Sequence, residues 1–291
     1  MSEGKRMTAT IDHCAIVGLG LLGGSIAKAA KSRGVVGRVT AVGRRPEILE
    51  QARQDGCVDA WTLDLREGCA EADLVILATP VATIETLLHG VWDAAGDETL
   101  ITDVGSVKGS VVDAAEKLAA RRPLAFVGAH PMAGSEQSGY RASRPDLFNH
   151  ALVILTPTER TPLWALKRLT EFWERLGARV ASIAPEAHDR IVAHVSHLPH
   201  LIAYALVDAI AKAPDSTLDF AAQGFKDTTR IAASDPELWR EIFTVNRPAL
   251  LESLAKFRQS LDELEHLLRE EKQTALGHAL ARIQQIRMEL Q

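Results

Sequence analysis

Residues 14–30 read CAIVGLGLLGGSIAKAA, an apolar run, a glycine-rich turn and a good helix former in direct succession. The run does not alternate in and out, as expected of a strand buried on both faces. Ile26, Ala27, Lys28, Ala29 and Ala30 then open a helix. Each glycine of the turn has its own reason. Gly18 permits the tight bend, Gly20 lets a pyrophosphate approach the backbone, and Gly23 lets helix and strand pack closely. Leu21 and Leu22 stand where the helix begins, so that its N-terminus faces the phosphates. The stretch predicts a dinucleotide-binding loop; the alternative is an incidental glycine-rich turn.

Outward from this loop, further apolar runs at 38–42, 73–78, 99–104, 125–129 and 151–156 alternate with helical stretches at 25–32, 46–54, 81–94, 107–120 and 163–176. Such alternation predicts a Rossmann-like, doubly wound α/β unit around a parallel sheet, with 179–184 as one more strand. Beyond Pro185 the strand signals stop and helical periodicity takes over. The expected division is a dinucleotide-binding domain over 12–184 and an all-α domain over 185–291. In the second part Leu250, Leu251, Leu254, Phe257, Leu261, Leu264, Leu267 and Leu268 recur at steps of three and four. That stripe needs a partner surface, either within the chain or on a second copy.

The whole chain has 291 residues, 46% of them hydrophobic and 24% charged, the balance of an ordinary globular protein. Lys plus Arg number 33 against 38 Asp plus Glu, a net charge of −5 without a basic run. This excludes the electrostatic footprint of a nucleic-acid binder and favours a small-molecule partner. Cys14, Cys57 and Cys69 have no paired spacing and read as reduced thiols. The N-terminal MSEGKRMTAT has no apolar core of signal-peptide type, and no apolar run approaches the roughly 18 residues that span a bilayer. The expectation is a cytoplasmic protein with no membrane partner.

An NAD-selective site places an acid at the end of the second strand, about 20 residues past the loop, on the ribose hydroxyls. Here that strand ends in Arg44 and Arg45. Guanidinium forks suit a 2′-phosphate, so NADP is favoured and NAD remains possible; the alternative is a pair of solvated loop arginines. Open parallel sheets bind ligands beyond their carboxyl edges. Thr79 and Pro80 at one such edge border the cofactor. Ser106 and His130 at two others converge near the nicotinamide. Oxidation of a carbinol needs its hydroxyl proton taken, and an imidazole of ordinary pKa near 6.5 suits that task. His130 is the candidate, with Ser106 orienting ring or substrate. A strand-end histidine alone is more often structural, but a dinucleotide loop on the same sheet favours chemistry. The helical part adds His188, His194, His197 and His200, for which a metal is not expected: no ligand set completes them and Pro199 interrupts the helix. Lys226 and Arg230, four apart, are either a solvated face or anchors for an anionic substrate.

The motifs at 18–25 (GLGLLGGS), 102–108 (TDVGSVK), 128–134 (GAHPMAG), 196–200 (SHLPH) and 224–230 (GFKDTTR) resemble, in order and spacing, those of the prephenate/arogenate dehydrogenase family of tyrosine biosynthesis, over roughly residues 12 to 290. The resemblance implies a nucleotide-binding domain followed by a helical dimerisation domain, a homodimer, and oxidative decarboxylation of a cyclohexadiene. It also implies that His130 bonds the ring 4-hydroxyl while Ser106 assists, that His197 and His200 line the substrate pocket, and that Lys226 and Arg230 hold its carboxylate end. Arg44 and Arg45 depart from the acid common in that family. A β-hydroxyacid dehydrogenase and a non-catalytic NADP(H) sensor are the competing readings. The former typically relies on a lysine of the helical part, and the latter has no need of Ser106 and His130 together.

Overall fold

A computed structural model describes residues 11–133, 137–213 and 217–290; the N-terminal ten residues and Gly134 of the GAHPMAG motif lie outside them. The first part of the chain runs β1 (Ile11–Val17), α1 (Leu21–Ser32), β2 (Val36–Val42), α2 (Pro46–Gln54), β3 (Ala60–Thr62), α3 (Leu65–Cys69), β4 (Leu74–Leu77), α4 (Val81–Ala94), β5 (Leu100–Asp103), α5 (Gly109–Ala119), β6 (Ala125–Pro131), β7 (Leu152–Thr156), α6 (Leu163–Arg175) and β8 (Arg179–Ser182). The strands form one sheet in the order β3-β2-β1-β4-β5-β6-β7-β8. Strand order reverses between β1 and β4, which opens the crevice where such sheets bind ligands.

Both faces of the sheet are covered, as the unbroken apolar runs require. Along β4, Leu74 and Ile76 join one buried cluster with Ile26, Leu49, Phe172 and Trp173. Val75 and Leu77 join the other with Ile84, Leu88 and Val91. Each such side chain contributes about 1.5–3 kcal/mol by leaving water. Cys14, Cys57 and Cys69 are all buried thiols.

The last two strands depart from the expected parallel arrangement, since β8 runs parallel to a reversed β7. β7 runs antiparallel to β6, with His130 opposite Ile154 and Gly128 opposite Thr156. A parallel return needs a crossover over the sheet, usually a helix. Between β6 and β7 the described chain contains only a short 3₁₀ turn, Tyr140–Ala142, so it doubles back instead. β3 and α3 lacked a sequence signal because they are short.

The second part is helical: α7 (Pro185–Val192), a π turn (Ala193–His197), α8 (Leu198–Ala211), α9 (Gln223–Thr229), α10 (Pro236–Val245), α11 (Arg247–Arg269) and α12 (Gln273–Glu289). Pro199 does not interrupt its helix, contrary to expectation. The Leu198 N–H reaches back to the Ala193 carbonyl, a π turn just before the proline that lets the helix continue through it. The continuous helix Pro185–Ala211 has 27 residues and a mean hydropathy of 1.2 over its best window, enough by length and composition alone to cross a bilayer. It also carries His188, Asp189, His194, His197 and His200, of which His197 and His200 line the cavity. Trp239 and Ile242 of α10 tie this part into the sheet's second cluster. Of the apolar stripe on α11 only Leu250 is buried, while Leu251, Leu261 and Leu268 are exposed, as are Leu280, Ile283 and Ile286 of α12.

Candidate active site

The glycine loop is built as its sequence demands. Gly18 sits at φ +98°, and a Cβ there would lie 2.8 Å from the Ala78 carbonyl oxygen. At Gly23 a Cβ would stand 2.0 Å from the Gly18 carbonyl oxygen, so helix and loop pack backbone to backbone. Gly20 is different. Nothing among the described residues lies within 4 Å of the Cβ it lacks, and it lines a cavity of about 620 Å³. Gly20 also begins α1, whose first turn has no side-chain cap and no acidic residue. Open space at Gly20 and uncapped N–H groups beside it fit a dinucleotide pyrophosphate.

The same cavity gathers Leu21 and Leu22 from α1, Thr79 and Pro80 after β4, Ser106 after β5, and His130 at the end of β6. From the helical part come His197, His200 and Arg230. Four strand ends that are far apart in sequence therefore meet the helical part at one crevice. A second cavity of about 710 Å³, bordered by Glu116, Arg160 and Trp164, holds none of the predicted residues.

The electrostatics around His130 are set by burial. His130 Nδ1 lies 2.9 Å from His188 Nε2, and His188 Nδ1 lies 2.8 Å from an Asp189 carboxylate oxygen. Burial first, then the neighbouring His188, Lys108 and His197, push the His130 ring well below the usual imidazole value. His130 is therefore neutral at neutral pH. Burial likewise lowers His197, to about 4, and lowers His200. His200 stacks on Trp239 with ring centroids 3.5 Å apart and donates from Nδ1 to the Ser196 carbonyl over 2.9 Å. Lys108 is fully buried; its ammonium pairs with Asp103 and donates to the Ala129 carbonyl over 2.9 Å.

Five predicted residues stand apart from the cavity lining. Gly18 and Gly23 lie beneath it as packing glycines. Arg44 and Arg45 are exposed at the carboxyl end of β2, next to the loop, since the Gly18 N–H donates to the Val42 carbonyl over 2.8 Å. Lys226 is exposed on α9 and does not line the cavity. The four-residue spacing to Arg230 does not make one helix face, because α9 ends at Thr229 and Arg230 starts a 3₁₀ turn. Trp239, Asp235, Lys108 and Asp189 have parts in or behind this site that sequence reasoning missed. Lys108 closes the quoted TDVGSVK motif, and the His188-Asp189 dipeptide was the available signal for Asp189.

A glycine loop built for a dinucleotide, a strand-end imidazole and an arginine in one crevice define the class, a nicotinamide-dinucleotide-dependent oxidoreductase. Models of the nucleotide-binding and dimerization domains of prephenate dehydrogenase match residues 26–182 and 184–282. The chain belongs to the prephenate dehydrogenase family. It is 36% identical over 256 residues, 87% of each chain, to the cyclohexadienyl dehydrogenase of Zymomonas mobilis. Its fold matches prephenate dehydrogenase from Aquifex aeolicus, solved in complex with hydroxyphenyl propionate and NAD+, at a TM-score of 0.90 and 35% identity over 96% of this chain and 98% of that one. It also matches Synechocystis arogenate dehydrogenase at a TM-score of 0.84 and 32% identity, over 96% and 100%.

Proposed function

We propose that the chain catalyses oxidative decarboxylation of prephenate to 4-hydroxyphenylpyruvate in tyrosine biosynthesis, with arogenate as a second substrate yielding tyrosine. The observation that carries this reading is that Ser106, His130, His197, His200 and Arg230 share one cavity with Gly20 of the dinucleotide loop. The ligand of the Aquifex relative supports it, since a hydroxyphenyl propionate joins a phenol to a carboxylate as the proposed product does.

When bound, the nicotinamide supplies a hydride acceptor at its C4. His130 Nε2 accepts the ring 4-hydroxyl proton as that carbinol carbon loses hydride, loss of CO2 from the opposite ring carbon completes an aromatic ring, and His130 returns the proton to the phenolate oxygen. Aromatisation makes the step effectively irreversible, so His130 supplies only part of the acceleration, about 10²- to 10⁴-fold. Ser106 orients the hydroxyl. Arg230 holds the side-chain carboxylate, His197 and His200 flank it, and Lys226 adds attraction for the anion from outside. Asp235 also lines the cavity and offers arogenate's ammonium an acceptor, which supports the second substrate. A side-by-side kinetic assay of prephenate and arogenate with NAD and NADP tests the reading; no turnover of either would refute it.

Cofactor preference follows from the second strand. Arg44 and Arg45 hold a 2′-phosphate in this proposal, so NADP has the higher kcat/KM. Arg44→Ala with Arg45→Ala erodes that preference by about 1–3 kcal/mol, the size of charge-assisted hydrogen bonds. A wild-type enzyme preferring NAD would contradict it.

The exposed apolar faces of α11 and α12 support a homodimer built through the helical part, with 12–184 and 185–291 as the two domains. An obligate interface of this kind buries about 2,000 Å² or more. Light scattering at micromolar concentration should give twice the chain mass, and a monomer mass counts against it. With three buried thiols and a soluble substrate, we place the enzyme in the cytoplasm.

A further inference from the structure

We infer that Asp189 and His188 form a buried relay that holds His130 in one tautomer, with its proton on Nδ1 and the Nε2 lone pair turned to the cavity, which makes both of them positioning residues. The kinetic consequence rests on the function proposed above; the tautomer does not.

The assignment follows from who can donate. One Asp189 carboxylate oxygen accepts the Lys108 N–H at 2.8 Å and the other accepts the Gly109 N–H at 2.8 Å. Burial alone would raise the Asp189 carboxyl, but these donors and the His188 ring outweigh it and hold it below the usual value. A carboxylate only accepts, so the proton of His188 sits on Nδ1, 2.8 Å away. Neutral imidazole carries one proton. Nε2 of His188 must therefore accept, and the atom 2.9 Å from it is His130 Nδ1, which donates. The reverse arrangement would place an imidazolium in a fully buried position, with the buried Lys108 ammonium already in the same network.

Asp189 acts on a second ring through its backbone. Its carbonyl accepts from Asn246 Nδ2 at 2.8 Å, which fixes the amide. The same Nδ2 lies 3.1 Å from His197 Nδ1, so that nitrogen accepts and the His197 proton is on Nε2. His197 Nε2 is buried without a partner among the described residues, in a ring that lines the cavity. The cavity thus presents an acceptor imidazole at His130 and a donor imidazole at His197, both aligned by one aspartate. Lys108 locks the frame at both ends, because its N–H holds Asp189 while its ammonium holds the carbonyl of Ala129 beside His130.

The pH behaviour depends on the groups facing His130: His188 and Asp189 on α7, Lys108 and Asp103 between β5 and α5, His197 on the π turn, and Arg230 and Asp235 on the cavity wall. Turnover requires neutral His130, so activity falls as pH drops through its lowered pKa. Removing the Asp189 charge destabilises the imidazolium and moves that acid limb to lower pH. NMR of histidine-labelled wild-type protein reads the tautomer directly. We expect the His130 proton on Nδ1, and tautomers mixed in Asp189→Asn; a wild-type proton on Nε2 overturns the relay whatever the enzyme turns over. In kinetics, Asp189→Asn should lower kcat about 10- to 100-fold with KM little changed, the usual effect of losing a partner behind a functional histidine. His188→Gln keeps an acceptor for Nδ1 and should retain more kcat than His188→Leu. Equal kcat in those two variants, with rates that follow melting temperature alone and an unmoved acid limb, would overturn the positioning role. The expected tautomer in a protein that never oxidises prephenate would uphold the relay and refute the proposed reaction.

Discussion

His130→Asn lowers kcat by at least about 100-fold while KM stays close to its original value, because a contact made mainly in the transition state affects only the chemical step. Asparagine keeps a polar side chain at the end of β6 but has no basic nitrogen to take the hydroxyl proton. Arg230→Ala gives the opposite pattern. An anchor used equally in ground and transition states raises KM by the equivalent of about 2–3 kcal/mol and leaves kcat much less changed. Steady-state kinetics on both variants, with melting temperatures matched to wild type, separates chemistry from binding. Near-normal kcat in His130→Asn would remove His130 from the mechanism.

The second large effect concerns stability. Lys108 and Asp103 are both fully buried and paired. One Asp103 carboxylate oxygen already has no partner among the described residues, while the other also accepts the Gly105 N–H at 2.8 Å. Lys108→Met strands a buried carboxylate, which costs about 3–5 kcal/mol when one partner of such a pair is removed. For a protein of this size that corresponds to a melting temperature lower by on the order of 10 °C. Lys108→Met combined with Asp103→Leu removes both charges and should restore most of the loss, since apolar replacements of buried pairs are often neutral. Calorimetry decides it; a double variant no more stable than Lys108→Met would show that the charge imbalance is not the cause.

The sheet was legible because strands buried on both faces leave unbroken apolar runs, and β4 and β5 are such strands. Strand direction was not legible. The run that became β7 reads the same whether it lies parallel or antiparallel to β6, and the choice rests on a connection without a crossover helix. β3 has three half-buried residues, too few for a pattern. In the site, Ser106 and His130 could be placed because an open sheet binds at its carboxyl edge, and Gly20 because a ligand must approach the backbone. The relay behind His130 could not. Residues 130 and 188 are 58 positions apart, and only the packing of α7 against β6 and the start of α5 brings them together. Pro199 misled for a local reason: a single π turn absorbs the proline and keeps the helix whole, which lets His197 and His200 face the cavity from one continuous helix.

The most direct measurement of the central claim is the yield of CO2 against reduced nicotinamide when the purified protein is given prephenate and NADP or NAD. Hydride loss and decarboxylation occur in one turnover on this account, so the two products should appear in equal amounts and at the same rate. Reduced nicotinamide without CO2 would point to a simple hydroxy-acid dehydrogenase, and neither product to a protein that binds the dinucleotide without turning over; either result would contradict the account.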